Sequence, residues 1–152
     1  MKNLLSFLLA TLLSLPVVAA DAPALTAKPA SYDAECASCH MAFPPHLMGK
    51  KNWQNIMSSL DKHFGSDASL DSKTQAEITK WLVKNAATKQ KYSAIAPDNR
   101  ITKSYWFISE HDGVKAEVWK RVGVKSPDNC LACHTDGVSG AFSEKNIRIP
   151  AK

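Results

Sequence analysis

The chain has 152 residues, with 19 basic and 14 acidic side chains and a formal net charge of +5 at pH 7. This length suits one domain. The basic residues are spread out, with no run longer than Lys50-Lys51, so the sequence does not indicate a nucleic-acid-binding stripe. At most, the charge favours an acidic partner surface.

The first twenty residues have the pattern of a secretory signal peptide. Lys2 precedes an apolar stretch, Leu4 to Leu15, and small residues follow up to an expected cleavage site after about Ala20. An uncleaved membrane anchor is the alternative. The whole apolar run, Leu4 to Ala20, is shorter than the ~20 residues that span a bilayer, and Pro16 interrupts it. Residues 1–20 are therefore predicted to be a signal peptide, and the mature protein is predicted to be periplasmic.

The elements predicted after the cleavage site are short helices. Residues 21–30 are an Ala- and Pro-rich lead-in, expected to be flexible, and a helix from about Tyr32 carries the first cysteine motif. Lys50 to Gly65 has apolar residues at helical spacing, which predicts an amphipathic helix with His63 on its apolar stripe. Asp71 is the predicted N-cap of a third helix. Its inward face is predicted to carry Ile78, Trp81, Leu82 and Asn85.

The second half of the chain is predicted to be less regular. Residues 88–100 lack periodicity and are expected to form a connector. A short helix carries His111 one turn after Phe107, and Val114 to Trp119 extends or restarts it. Beyond Trp119 the chain is expected to be irregular and to end in a covering loop. Since no alternating run of useful length is present, the predicted fold class is all-α, with short helices and long loops.

All four cysteines lie in two copies of the motif C-x-x-C-H. Disulfides would suit an exported protein, C-x-x-C pairs bind zinc, and a thioredoxin-like pair needs a βαβ setting. None of these alternatives explains a histidine directly after each pair. Covalent attachment of two haem c groups does, because two thiols bond to one porphyrin and the adjacent histidine binds its iron. The predicted residues are Cys36, Cys39 and His40 for one haem, and Cys130, Cys133 and His134 for the other.

The sixth iron position decides the chemistry of each haem. A methionine there raises the reduction potential relative to a second histidine, and an open position would bind gases. The remaining candidates are His46, His63, His111, Met41, Met48 and Met57. Met57 shares the predicted stripe of His63 and is the best methionine alternative. Met41 directly follows a ligand and cannot reach the opposite face of the haem.

Among the histidines, His63 and His111 are the better distal candidates because each lies on a predicted apolar helix face. His63 is assigned to the first motif as its neighbour in sequence, and His111 to the second. An exchange of the two would satisfy the same count. His46 follows Pro44-Pro45, which restrict a fold back across the haem, so it is expected at the surface or beside a ligand.

Four segments together resemble a known family: "CASCHMAFPP", "NWQNIMSSLDKHFGSDASLD", "RIT…WFISEH" and "VKSPDNCLACH…FSEKNIRIP". They resemble the small periplasmic dihaem cytochromes c of purple and other proteobacteria, from about Tyr32 to Pro150. The resemblance implies two low-spin bis-histidine haems, with the four histidines assigned above. It also implies electron transfer with a small oxygen-binding monohaem cytochrome and a membrane b-type cytochrome. The first half is similar to class I cytochrome c but lacks that class's late methionine ligand.

Residues 31–152 are therefore predicted to form a dihaem cytochrome c domain. The half around haem 1 spans about 31–87, the connector 88–100, and the half around haem 2 about 101–150. The predicted function is periplasmic electron transfer without enzymatic activity, nucleic-acid binding or a stable membrane anchor. The alternatives are a haem enzyme or gas sensor with one open iron site, and an electron-transfer subunit of a larger periplasmic reductase. Without haem, the chain is predicted to be largely unfolded.

Overall fold

The computed structural model describes residues 27–151, so the predicted signal peptide and most of the lead-in lie outside the described residues. The α-helices in this part are α1 (Ala30–Cys36), α2 (Lys50–Met57), α3 (Ser72–Asn85), α4 (Gln90–Ser93), α5 (Tyr105–Glu110) and α6 (Ala116–Trp119). Single 3₁₀ turns lie at Pro45–Leu47, Leu60–Lys62, Pro97–Asn99, Ile101–Lys103, Cys130–Ala132, Gly137–Ser139 and Glu144–Asn146. From 27 to 151 the chain forms isolated β-bridges but no strand, which confirms the all-α fold class. No helix in this range is long and apolar enough to cross a membrane.

Helix α3 packs its apolar face into the core, as its periodicity predicts. The Asp71 carboxylate accepts hydrogen bonds from the backbone N–H groups of Lys73 and Thr74, both at 3.0 Å, which confirms the predicted N-cap. Ile78 and Leu82 are fully buried against the neighbouring helices. The core around them contains Tyr32, Leu47, Met48, Trp53, Met57, Leu60, Ala86, Ala96, Ile101, Trp106 and Phe107. Because these residues come from both predicted halves, one apolar core supports both.

The predicted single helix from Lys50 to Gly65 is wrong beyond Met57. Helix α2 ends there, a 3₁₀ turn follows at Leu60–Lys62, and His63 lies after that turn. The hydroxyl groups of Ser58 and Ser59 both donate to the carbonyl oxygen of Asn55 at 2.9 Å. Such side-chain bonds compete with the backbone ladder and commonly accompany a helix end. The apolar spacing therefore predicted the burial of Leu60 but not the path of the backbone.

The segment predicted as an irregular connector contains α4 and packs closely on α2. The fully buried side chain of Asn52 links them, donating to the carbonyl oxygen of Ala94 at 3.1 Å and accepting from the N–H of Ala96 at 3.0 Å. A Cβ on Gly49 would lie 2.3 Å from the backbone oxygen of Ser93, so only glycine permits this approach. The predicted domain boundaries at 88 and 100 remain predictions.

Replacing Asn52 with alanine is expected to destabilise the folded protein by about 2–4 kcal/mol, because it leaves the buried N–H of Ala96 and the carbonyl oxygen of Ala94 without this partner and opens a small cavity. Replacing the half-buried Asn55 with alanine is the control, with an expected loss of about 1 kcal/mol for its one side-chain bond. Thermal unfolding of the holo-protein measures both. Equal losses would show that Asn52 does not connect α2 to residues 94–96.

The short helix predicted to carry His111 is α5, which ends one residue earlier and has His111 as its C-cap. The Ser104 hydroxyl oxygen accepts from the N–H of Phe107 at 3.3 Å and caps the helix. Residues Ala116–Trp119 restart as the separate helix α6. After Trp119 the described chain has only 3₁₀ turns. The N–H of Arg148 donates to the carbonyl oxygen of Cys133 at 2.9 Å, so the C-terminal segment runs alongside the second motif.

Candidate functional site

Each C-x-x-C-H motif lies beside a second histidine from a distant part of the chain. The ring centroids of His40 and His63 are 6.0 Å apart with an interplanar angle of 25°. Those of His111 and His134 are 6.1 Å apart at 80°. The structure thus brings His63 to the first motif and His111 to the second. An exchanged arrangement would need His111 beside His40, where it does not lie.

These separations fit one metal ion between two imidazoles. A metal lies about 2.0–2.1 Å from a histidine nitrogen, and that nitrogen is roughly 1.1 Å from the ring centre, so opposed rings have centroids about 6.3 Å apart. Both measured values agree with this distance to within about 0.3 Å. Within residues 27–151, no group of three or more His, Cys, Asp or Glu side chains could hold a metal alone. The spacing of each histidine pair is compatible with one metal ion between the two rings.

At each site, the Nδ1 atom of one histidine is hydrogen-bonded to a backbone carbonyl oxygen. His40 Nδ1 lies 2.7 Å from the carbonyl oxygen of Met41, and His111 Nδ1 lies 2.8 Å from that of Phe107. A carbonyl oxygen can only accept, so Nδ1 carries the proton and Nε2 keeps a free lone pair. Metal-binding histidines usually have this arrangement, which orients the ring and fixes its tautomer.

The surroundings also favour the neutral imidazole, which is the form that binds metals. The pKa of His63 is lowered by burial, by the nearby charge of His40 and by Arg100. The pKa of His134 is lowered by burial and by His111. At neutral pH these two rings are therefore available as ligands.

Cys36 and Cys130 lie in surroundings that disfavour the thiolate form. All four are free of disulfide bonds. Burial, assisted by Glu35 and Asp33, raises the pKa of Cys36 to about 11, and burial with Asp128 raises that of Cys130 to about 11. Redox-active cysteines work as thiolates, which a raised pKa disfavours. Covalent haem attachment remains the predicted role of these cysteines.

The second motif opens onto a cavity of about 610 Å³, which is within the range of cofactor sites. Cys130, Cys133, His134 and His111 all line it. The apolar part of the wall includes Trp106, Val114, Val118, Trp119, Phe142 and Ile147. The Phe107 ring stacks on His111 with centroids 4.1 Å apart, and Phe142 lies 5.3 Å from His134. The cavity thus combines an apolar wall with two facing imidazoles and two thiols, which is the donor set that a covalent haem requires.

The first site is more open than the second. Cys39 and His40 are exposed, and His63 is only partly buried. Two aromatic rings flank the histidines: Phe43 lies 5.0 Å from His40, and Phe64 lies 4.8 Å from His63. A haem bound here would have the protein core on one side and solvent on the other.

The other candidate ligands lie elsewhere. Met48 and Met57 are buried in the apolar core, and Met41 follows His40 in an extended segment. His46 is exposed, as expected, but it also lines the cavity at the second motif, where its Cε1 lies 3.4 Å from the position of a Cβ on Gly140. The sequence analysis did not predict that His46 lies in the wall of this cavity. No pattern in the neighbouring residues indicates that the segment after the first motif reaches the second site.

Comparison with known proteins identifies the family of this chain. Residues 32–142 match the protein family described as dihaem cytochrome c. The chain is similar to the diheme cytochrome type c from Shewanella baltica OS155, with 36% identity over 80% of this chain and 93% of that one and a TM-score of 0.71. It is also similar to diheme cytochrome c from Rhodobacter sphaeroides, with 35% identity over 78% of this chain and 100% of that one and a TM-score of 0.65. A search of curated proteins found no significant match.

The all-α fold and these matches define a haem protein of the cytochrome c class. The chain belongs to the dihaem cytochrome c family and carries two haem c groups. These findings confirm the predicted family and cofactors and support a role as a haem electron carrier.

Proposed function

We propose that the protein is a periplasmic electron carrier whose haem irons are bound by His40 with His63 and by His111 with His134. It passes electrons between redox partners and performs no substrate chemistry. The observation that carries this proposal is the spacing of the two imidazole pairs, 6.0 and 6.1 Å between centroids, each beside a C-x-x-C-H motif. Such pairs leave no iron position open for a small molecule.

When bound, each haem supplies a one-electron Fe(III)/Fe(II) couple. The chain's contribution is to keep the ligand positions the same in both oxidation states. The carbonyl groups of Met41 and Phe107 hold two imidazoles in orientation, and the Phe107 ring supports His111 from one face. The apolar wall of the second site limits water and lowers the local dielectric constant, which contributes to the reduction potential.

The proposal predicts two low-spin haems in the purified holo-protein, with two low-potential one-electron transitions in a spectroscopic redox titration. Carbon monoxide should not bind, because both irons are six-coordinate. Absorption and electron paramagnetic resonance spectra measure this directly. A high-spin band, or one carbon monoxide per molecule, would instead favour a haem enzyme or gas sensor. Stable copurification with a large enzyme would favour a subunit of a periplasmic reductase.

We further propose export by the N-terminal signal, so that the secreted protein begins at about Asp21. Its 18 basic and 14 acidic residues would then give a net charge of +4, which suits acidic partner surfaces. The partners implied by the family resemblance are a small oxygen-binding monohaem cytochrome and a membrane b-type cytochrome. Mass measurement of the exported protein tests the cleavage. Stopped-flow mixing of the reduced protein with such an oxidised monohaem cytochrome tests the transfer.

A further inference from the structure

A guanidinium group is held beside the first histidine pair. The Cζ atom of Arg100 lies 4.4 Å from the ring centroid of Phe64, and the Phe64 ring lies 4.8 Å from that of His63. Arginine stacks well on aromatic faces, and this contact leaves the N–H groups at its edges free to bind. A positive charge is therefore positioned at the more open of the two sites.

The backbone at this contact adopts an unusual conformation on both sides. Phe64 has φ +52°, while Asp98 and Asn99, just before Arg100, have φ +55° and +54°. A bulky residue such as phenylalanine rarely adopts positive φ, and such positions persist only where the surrounding fold determines them. A hydrogen bond of 3.0 Å from Asn55 Nδ2 to Asn99 Oδ1 fixes the second turn to α2. The position of Arg100 is thus built by the fold.

The described part of the chain contains no hydrogen-bond or ion-pair partner for the Arg100 side chain. Asp98, the nearest acidic residue in sequence, forms an ion pair with Lys103 at 2.5 Å. An exposed arginine with a fixed ring contact and free donors is ready to bind a carboxylate through two parallel N–H groups. A haem c group retains two propionate carboxylates, because only its vinyl groups bond to cysteine.

We propose that Arg100, held on the Phe64 ring, binds a propionate carboxylate of the first haem and raises the reduction potential of that haem. The inference rests on the proposed function, in that His63 is taken as a ligand of the first haem. Pairing the propionate with a guanidinium cancels one negative charge near the iron. Reduction removes one positive charge from the iron, so cancelling that negative charge favours the reduced state.

The test is an Arg100→Gln variant, with Lys62→Gln as the matched control. Lys62 precedes His63, is exposed like Arg100 and carries the same charge, but it has no cation–ring contact like that of Arg100 with Phe64. Arg100→Gln is expected to lower the reduction equilibrium constant of one haem about tenfold, or about 59 mV for one electron, and to leave the other unchanged. Lys62→Gln should change it less than about threefold. NMR contacts between haem methyl groups and the Phe64 ring assign the affected haem.

The pH profile separates a propionate contact from a purely structural role. In the wild type, the paired propionate stays ionised, so the potential of the first haem should change little between pH 5 and 8. In Arg100→Gln, the propionate pKa rises towards this range, and the potential should fall as the pH increases and the carboxylate ionises. Arg100→Lys, which keeps the charge, should restore most of the wild-type potential.

Equal changes of the first haem's reduction potential in Arg100→Gln and Lys62→Gln, or no change in either variant, would overturn the proposal. A Phe64→Leu variant provides a second test if Arg100→Gln binds haem poorly, because it removes the stacking ring and keeps the arginine. Phe64→Leu should lower the reduction potential of the first haem by less than Arg100→Gln does, and an unchanged potential would count against the proposal. If Arg100→Gln changes the reduction potential only when an acidic partner protein is added, the carboxylate that Arg100 binds belongs to that partner instead. If the wild type itself were high-spin, the proposed function would fail before this comparison began.

Discussion

Replacing His63 or His111 with alanine is expected to convert one haem per molecule from a six-coordinate low-spin state to a five-coordinate state that binds carbon monoxide. Each histidine lies beside a proximal histidine at the distance that one intervening iron requires, and among the described residues no third histidine makes a ring contact with either pair. Carbon monoxide titration monitored by absorbance should give one molecule bound in each single variant, two in the double variant and none in the wild type.

The matched control for these variants is His46→Ala. His46 lines the cavity at the second motif but is exposed and has no ring contact with His134. Both haems should therefore remain low-spin in this variant, with no carbon monoxide bound. If His46→Ala binds carbon monoxide and His111→Ala does not, His46 rather than His111 is the distal ligand of the second haem. If neither His63→Ala nor His111→Ala binds carbon monoxide, the proposed coordination is wrong at both haems.

Removing the second haem, in a Cys130→Ala/Cys133→Ala variant, is expected to unfold the C-terminal part of the protein while the first helices persist. In the described chain after His111, the buried apolar side chains are only Val118 and Val124, and Val118 lines a cavity of about 610 Å³. A haem bound in this cavity would therefore add much of the apolar contact in this part of the chain. Amide hydrogen exchange in residues 112–150 should accelerate by at least about 100-fold relative to the wild type, while α2 and α3 keep much of their protection.

The matched control is Cys36→Ala/Cys39→Ala, which removes the first haem. That haem would lie at the edge of an existing peptide core, so its loss should loosen the end of α1 and the residues around His63 more than α3. A variant lacking all four cysteines tests the sequence-based prediction that the chain without haem is largely unfolded. Wild-type protection of residues 112–150 without the second haem would contradict the view that haem forms the core of this half.

The predictions that succeeded depend on neighbouring residues. The haem motif occupies five consecutive positions, and the Asp71 cap involves residues two and three positions further on. In α3 the apolar face repeats over fourteen residues, enough for Ile78 and Leu82 to be identified as buried. The same rule failed after Met57, because two serine hydroxyls end α2 where apolar periodicity alone would continue it.

By itself, the amino-acid sequence determined that two haem c groups attach to one small helical domain, because the chemistry of C-x-x-C-H lies within single turns of chain. Only the tertiary structure decided which distant histidine faces which motif, that His46 reaches the second cavity, and that Arg100 rests on Phe64. The residues that meet in these contacts are 23 or more positions apart in the chain. Helix propensity and periodicity act over a few residues, whereas such contacts depend on how the whole chain packs.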